Sequence, residues 1–147
     1  MQLMNDFSSV EKYLKENGTL TYTFKGCSMN PLLKQGRDLF TVVSKTPERC
    51  KKYDVVLYRK SASQYVLHRI VEVRDHDYVV QGDNCITKEY GIRDDDIIGV
   101  MTSFKHKNKI YSVTDKKYLL YVYVWAAIHP HITFLRQSKS KIRRGPR

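Results

Sequence analysis

Three short segments of this sequence hold side chains suited to nucleophilic chemistry: Gly26-Cys27-Ser28-Met29-Asn30-Pro31, Leu67-His68-Arg69-Ile70 and Gln81-Gly82-Asp83-Asn84. A serine hydroxyl is a poor nucleophile at neutral pH and needs a base beside it. A histidine with an ordinary pKa of about 6.5 can take that proton and return it to a leaving group. Ser28 and His68 suffice for that exchange. A carboxylate that accepts a hydrogen bond from the far ring nitrogen would fix the tautomer and stabilise the imidazolium. Asp83 is the first candidate for this orienting role and Glu89 the second. Charge developing on a substrate oxygen asks for a donor, and the Ser28 backbone N–H at its turn can supply one; Gly26 adds no hydroxyl.

The elements that must position these groups follow from local pattern. Ser8 to Glu16 suits a short amphipathic helix, with Ser8 and Glu11 as a capping box and Asn17-Gly18 as its stop. Thr19 to Lys25 reads as a strand that delivers Ser28 to a turn. Further strands are expected over 38–43, 55–59, 65–74, 78–81, 97–105 and 109–113, with a hairpin across Asp75-His76-Asp77. Neither repeats nor a helix-strand alternation is present, so a parallel doubly wound sheet is not expected. The fold class is mainly β, with a short N-terminal helix and a C-terminal apolar helical segment.

Taken in order, the Ser28-Met29-Asn30-Pro31 box, the strand bearing His68-Arg69, Gly82-Asp83-Asn84 and the closing run Asp96-Ile97-Ile98-Gly99-Val100 resemble the S24/S26 serine peptidases. Within that signal-peptidase and LexA-like group the likeness is greatest to the endoplasmic-reticulum and archaeal signal peptidases. It covers about residues 20 to 101. The resemblance implies a serine-type endopeptidase with Ser28 as nucleophile and His68 where other branches carry lysine. It implies the LexA/signal-peptidase-like β fold and cleavage of a precursor, signal or leader peptide after small residues. Gly26, Met29 and Pro31, beside the nucleophile, are expected to contact substrate. The related branch has an aspartate shortly after Gly-Asp-Asn; here Lys88-Glu89 stands in that stretch, so the third residue stays open between Asp83 and Glu89. Two other functions compete with this one. A LexA-like self-cleaving regulator is opposed by the lack of a helix-turn-helix before residue 20. A non-catalytic peptide-binding module is opposed by the intact Ser28 and His68.

Singly, each residue has an ordinary role: Ser28 in a turn before proline, His68 in a strand, Asp83 as a turn former. Their conjunction carries the catalytic reading. Cys27, Cys50 and Cys85 form no metal-binding or disulfide pattern and suit a reduced environment, with Cys27 and Cys85 read as small buried packing. His129 and His131 have no carboxylate or cysteine near in sequence, so neither a metal nor a cofactor is expected.

A hydrophobic fraction of 41% argues for a packed domain, here drawn as 1–116. The net charge of +11 is uneven, because Arg136, Lys139, Lys141, Arg143, Arg144 and Arg147 contribute six positive charges with no acid among them. This tail, 136–147, reads as a solvated, partly disordered terminus that meets no specific nucleic acid. Residues 118 to 135 carry no formal charge. A spanning helix needs about 20 apolar residues, and His129-Pro130-His131 interrupts this run. The 117–135 segment is therefore read as interfacial or docked on the core, with a membrane surface as its partner. Met1 to Asp6 lacks the pattern of a cleavable signal. Localisation is accordingly expected to be membrane-associated or cytoplasmic.

Overall fold

The computed structural model describes residues 7–143, with side chains from Ser9 onward. Helix α1 (Phe7–Asn17) buries Val10 and Leu14 and stops where the Gly18 N–H reaches the Leu14 carbonyl at 2.7 Å. Gly18 has φ +75°, the left-handed conformation that ends helices at little cost for glycine. The Ser8 side chain of the expected capping box, like Met1 to Asp6, lies outside the described residues. Glu11 points an oxygen toward the sheet. Its carboxylate takes hydrogen bonds from Arg59 and Tyr65, which fastens α1 to the sheet.

The strands are β1 (Thr19–Thr23), β2 (Leu39–Ser44), β3 (Val55–Ser61), β4 (Gln64–Val73), β5 (Tyr78–Gln81), β6 (Glu89–Ile92), β7 (Ile97–His106) and β8 (Lys109–Ser112). They form one antiparallel sheet in the order β1-β2-β7-β3-β4-β5-β6, with β8 on β7. The mainly β class is therefore observed, together with both flanking helices. β6 was not expected from sequence. β2 begins after Asp38 because that buried carboxylate is occupied by the backbone N–H groups of Lys34 (2.8 Å) and Lys107 (3.2 Å).

The central strands are buried on both faces, which explains the continuous apolar run Val55-Val56-Leu57-Tyr58. Val55 and Leu57 join Leu14, Phe40, Met101 and Phe104 in one core cluster. Val56 and Tyr58 join Ile70, Tyr78, Val80 and Ile97 in a second. Side chains alternate along a strand, so neighbours in sequence face opposite clusters.

Helix α2 (Lys116–Arg143) runs for 28 residues, through Pro130 and into the basic stretch. Two expectations are corrected here. Pro130 does not interrupt the helix: proline removes one backbone donor, and the flanking turns supply the rest of the ladder. Arg136 to Arg143 are ordered helix rather than a disordered tail, with Lys141 and Arg143 favourably placed at the negative end of the helix dipole. Arg144 and Arg147 lie outside the described residues.

Candidate active site

β1 ends at Thr23, and Gly26, with φ +85°, turns the chain toward Ser28. The turn is anchored below by Met29, which is fully buried, and by the Leu33 N–H on the Met29 carbonyl at 3.0 Å. Met29 is thus a core residue, and its expected contact with substrate is corrected on that ground. Gly26 and Pro31 are exposed, and Pro31 follows a cis peptide bond. Pro31 borders an apolar hollow of about 280 Å³ with Leu32, Phe104 and Tyr111.

The segment after β5 clasps this turn. Asn84 N–H donates to the Ser28 carbonyl at 2.8 Å, and Asn84 Nδ2 donates to the Cys27 carbonyl at 3.2 Å. Gly82 fills a narrow gap. A Cβ there would lie 2.6 Å from the Ser28 carbonyl oxygen, 2.6 Å from Cys85 Sγ and 3.1 Å from His68 Nε2. Only glycine lets the Ser28 turn and the histidine ring approach so closely. The Ser28 backbone carbonyl and the Nε2 edge of His68 therefore both border Gly82, and neither the Ser28 hydroxyl nor His68 Nε2 is hydrogen-bonded to another described residue.

β4 supplies His68, 7% exposed, from the face shared with Val56 and Ile70. Tyr58 sits on the same face of β3, two residues along from Val56, the register partner of His68, and its hydroxyl lies 3.2 Å from His68 Nδ1. That hydroxyl donates to Glu89 Oε2 at 2.7 Å, and Lys60 Nζ donates to Glu89 Oε1 at 2.8 Å. Glu89 reaches this face because β6 pairs it opposite Val80. Burial pushes the His68 pKa below the ordinary histidine value, against the pull of the Glu89 charge. Burial also works against the Glu89 carboxylate, but the hydrogen bonds from Lys60 and Tyr58 outweigh it and its pKa falls. The result is a neutral imidazole beside an ionised carboxylate at neutral pH.

Asp83, the first candidate for orienting His68, has another partner. Its two oxygens receive Arg69 Nε and Nη2, each at 2.8 Å, in a pair with both side chains fully buried. Tyr121 adds a hydrogen bond at 2.8 Å, and Trp125 Nε1 donates to the Asp83 carbonyl at 3.0 Å. Arg69 also reaches the Tyr53 carbonyl and the Tyr118 hydroxyl, both at 3.0 Å. Alternation along β4 is the reason: His68 and Arg69 must face opposite sides, and Asp83 follows Arg69. Glu89, the second candidate, lies on His68's side, although its nearer oxygen is 3.9 Å from Nδ1. Tyr58 was missed from sequence, because only the register of β3 against β4 makes it a neighbour of His68.

The Arg69–Asp83 pair is the mooring for α2, which contributes Tyr118, Tyr121 and Trp125 around it. Farther along, His129 Nε2 meets the Cys85 carbonyl at 3.1 Å, and Arg136 reaches the Asn84 carbonyl and Oδ1, both at 3.3 Å. His129 thus serves docking, stacked on Trp125 with ring centroids 4.5 Å apart. All three thiols are free. Cys50 is buried, and burial raises its pKa to about 11; Cys85 is half-buried and Cys27 exposed, so buried packing is corrected for Cys27. Among the described residues no group of three or more His, Cys, Asp or Glu side chains is placed to hold a metal.

This chain matches no protein-family model and no curated protein.

Proposed function

We propose that this chain is a signal-peptidase-like serine endopeptidase of the LexA/signal-peptidase-like β fold, with Ser28 as nucleophile and His68 as general base. The observation that carries the reading is the convergence of the Ser28 turn and His68 Nε2 on Gly82, where a single methyl group would not fit. As Ser28 Oγ bonds to the scissile carbonyl carbon, its proton passes to His68 Nε2 and the carbonyl electron pair moves onto oxygen. The Ser28 N–H, which bonds to no other described residue, is the donor for that oxygen. Collapse breaks the C–N bond, and the His68 proton leaves with the amine. Water then releases the acyl group by the same proton route in reverse.

An extended substrate suits the edge of β1, which among the described strands pairs with β2 alone and whose chain leads directly to Ser28. The preference for small residues before the cut comes from the family resemblance. Cleavage of a precursor-like peptide with small residues near the bond by the purified chain, abolished in Ser28→Ala and in His68→Ala, tests the reading. Undiminished cleavage by Ser28→Ala would sink it.

The membrane surface is the proposed setting. α2 is the one described helix long and apolar enough, by length and composition, to cross a bilayer. Its aromatic and polar side faces the domain, while Leu119, Leu120, Tyr123, Val124, Ile128, Phe134 and Leu135 are exposed. Lys116 and Lys117 stand at one end of this uncharged stretch and Arg136, Lys139, Lys141 and Arg143 at the other. A helix moored along one side with an apolar opposite side suits lying in an anionic lipid interface rather than spanning it.

A further inference from the structure

We infer that the Tyr58 hydroxyl, held in place by Glu89, is the group that orients His68, so that no carboxylate touches the ring. This deepens the peptidase reading and, as a role in catalysis, rests on it. Tyr58 Oη is 3.2 Å from His68 Nδ1, whereas the nearer Glu89 oxygen is 3.9 Å away, beyond hydrogen-bonding reach. A phenol carries one proton. Tyr58 gives it to Glu89 Oε2 at 2.7 Å and has only lone pairs left for the ring. Nδ1 must then be the protonated nitrogen, and Nε2 keeps its lone pair on the Gly82 side, where the Ser28 turn lies. The serine thus meets a base in the correct tautomer before any substrate arrives.

Burial, one ion pair and the phenol's raised pKa make the arrangement firm. Tyr58 is fully buried between Val56, Ile70, Tyr78 and Val80, so its ring has no freedom to leave. Lys60 Nζ fixes Glu89 at 2.8 Å from the outer side. Burial, reinforced by Glu89, raises the Tyr58 pKa far above that of an ordinary phenol, so the proton stays on Tyr58. During catalysis a single proton therefore moves, from Ser28 Oγ to His68 Nε2 and on to the leaving amine. His68 Nδ1–H keeps donating to Tyr58, and the Glu89 charge stabilises the imidazolium through the phenol dipole. Tyr58 and Glu89 are positioning residues.

The charged and titratable groups around the ring are Tyr58 and Lys60 from β3, Glu89 from β6, and Asp83 and Cys85 from the segment after β5. Glu89 and Asp83 raise the His68 pKa, and Lys60 lowers it. Removing the Glu89 charge should therefore move the His68 titration downward.

The test uses the full chain with histidine labelled by ¹⁵N, as wild type, Tyr58→Phe, Glu89→Gln and Ser28→Ala. Wild type should show the Nδ1–H tautomer of neutral His68. Tyr58→Phe should lose it in favour of Nε2–H, with kcat down about 10²-fold and KM within about twofold. Glu89→Gln should lower both kcat and the His68 pKa. A folded Tyr58→Phe with wild-type kcat, or with the Nδ1–H tautomer intact, overturns the inference. If Tyr58→Phe does not fold, the Glu89→Gln titration decides, and an unchanged His68 pKa overturns it. Cleavage surviving in Ser28→Ala would instead defeat the peptidase reading, while the tautomer spectra would still report on Tyr58.

Discussion

Replacing Gly82 with alanine asks whether the close approach at this residue is what assembles the site. Gly82 is not in the left-handed region of backbone space, so alanine meets no conformational penalty there and only the space matters. The added methyl would stand 2.6 Å from both the Ser28 carbonyl oxygen and Cys85 Sγ, and 3.1 Å from His68 Nε2. Favourable carbon contacts lie at roughly 3.5–4.0 Å, so its neighbours must retreat by about 1 Å. Cys85 can rotate its thiol away. The Ser28 carbonyl cannot, since it is main chain and is gripped by the Asn84 N–H at 2.8 Å. The movement therefore falls on the Ser28 turn and the histidine ring. Overpacking of this kind costs about 1–3 kcal/mol of stability, and a displacement of about 1 Å costs about 10²-fold in rate. Urea unfolding and kcat/KM on one peptide, measured side by side, should show a small loss of stability and a large loss of activity. A folded Gly82→Ala protein with kcat/KM within about twofold of wild type would refute the reasoning.

Further outcomes follow from the same geometry. Asp83→Asn leaves Arg69 as an uncompensated buried charge, so urea unfolding should show a loss of about 3 kcal/mol or more. The double replacement Arg69→Met with Asp83→Leu should be less damaging; a stable but inactive Asp83→Asn would restore Asp83 as the orienter. Burial holds the folded His68 pKa below that of an exposed histidine, so the acid limb of kcat/KM should have its midpoint below about pH 6.5. The unfolded chain binds that proton first as pH falls. Stability from neutral His68 is thus complete above about pH 6.5 and declines from there down to the folded pKa, which chemical denaturation across that range would measure. Wild type should co-sediment with anionic vesicles, and Leu120→Glu with Val124→Glu should release it; binding that survives both changes would refute α2 as the membrane face.

Much of the sheet was legible because alternation and β-branched runs mark strands locally: β3, β4, β5 and β7 lie within a few residues of their expected spans. β6 was not, since Glu89-Tyr90-Gly91-Ile92 is only four residues long with a left-handed glycine inside it, and gains its strand character from pairing with β5. The continuation of α2 past Pro130 was hidden because proline weakens a helix locally, whereas the Tyr121, Trp125, His129 and Arg136 contacts that hold it are tertiary. Ser28, His68 and Gly82 could be picked out by residue type and order. Asp83 stood ahead of Glu89 as the carboxylate of the Gly82-Asp83-Asn84 motif, with the third residue left open between them; strand alternation, which sends His68 and Arg69 to opposite faces, argues against Asp83. Tyr58 needed the register of two strands, which no local pattern encodes.

The central claim is that Ser28 Oγ attacks a carbonyl while His68 takes its proton. An acid-quenched reaction with an activated ester of a small acylated amino acid, followed by peptide mass spectrometry, tests it most directly. The acyl group should be found on Ser28 in wild type, and the adduct should be absent from Ser28→Ala and strongly reduced in His68→Ala. Turnover of the ester with the acyl group on another residue, or an adduct that forms as fast without His68, would contradict it.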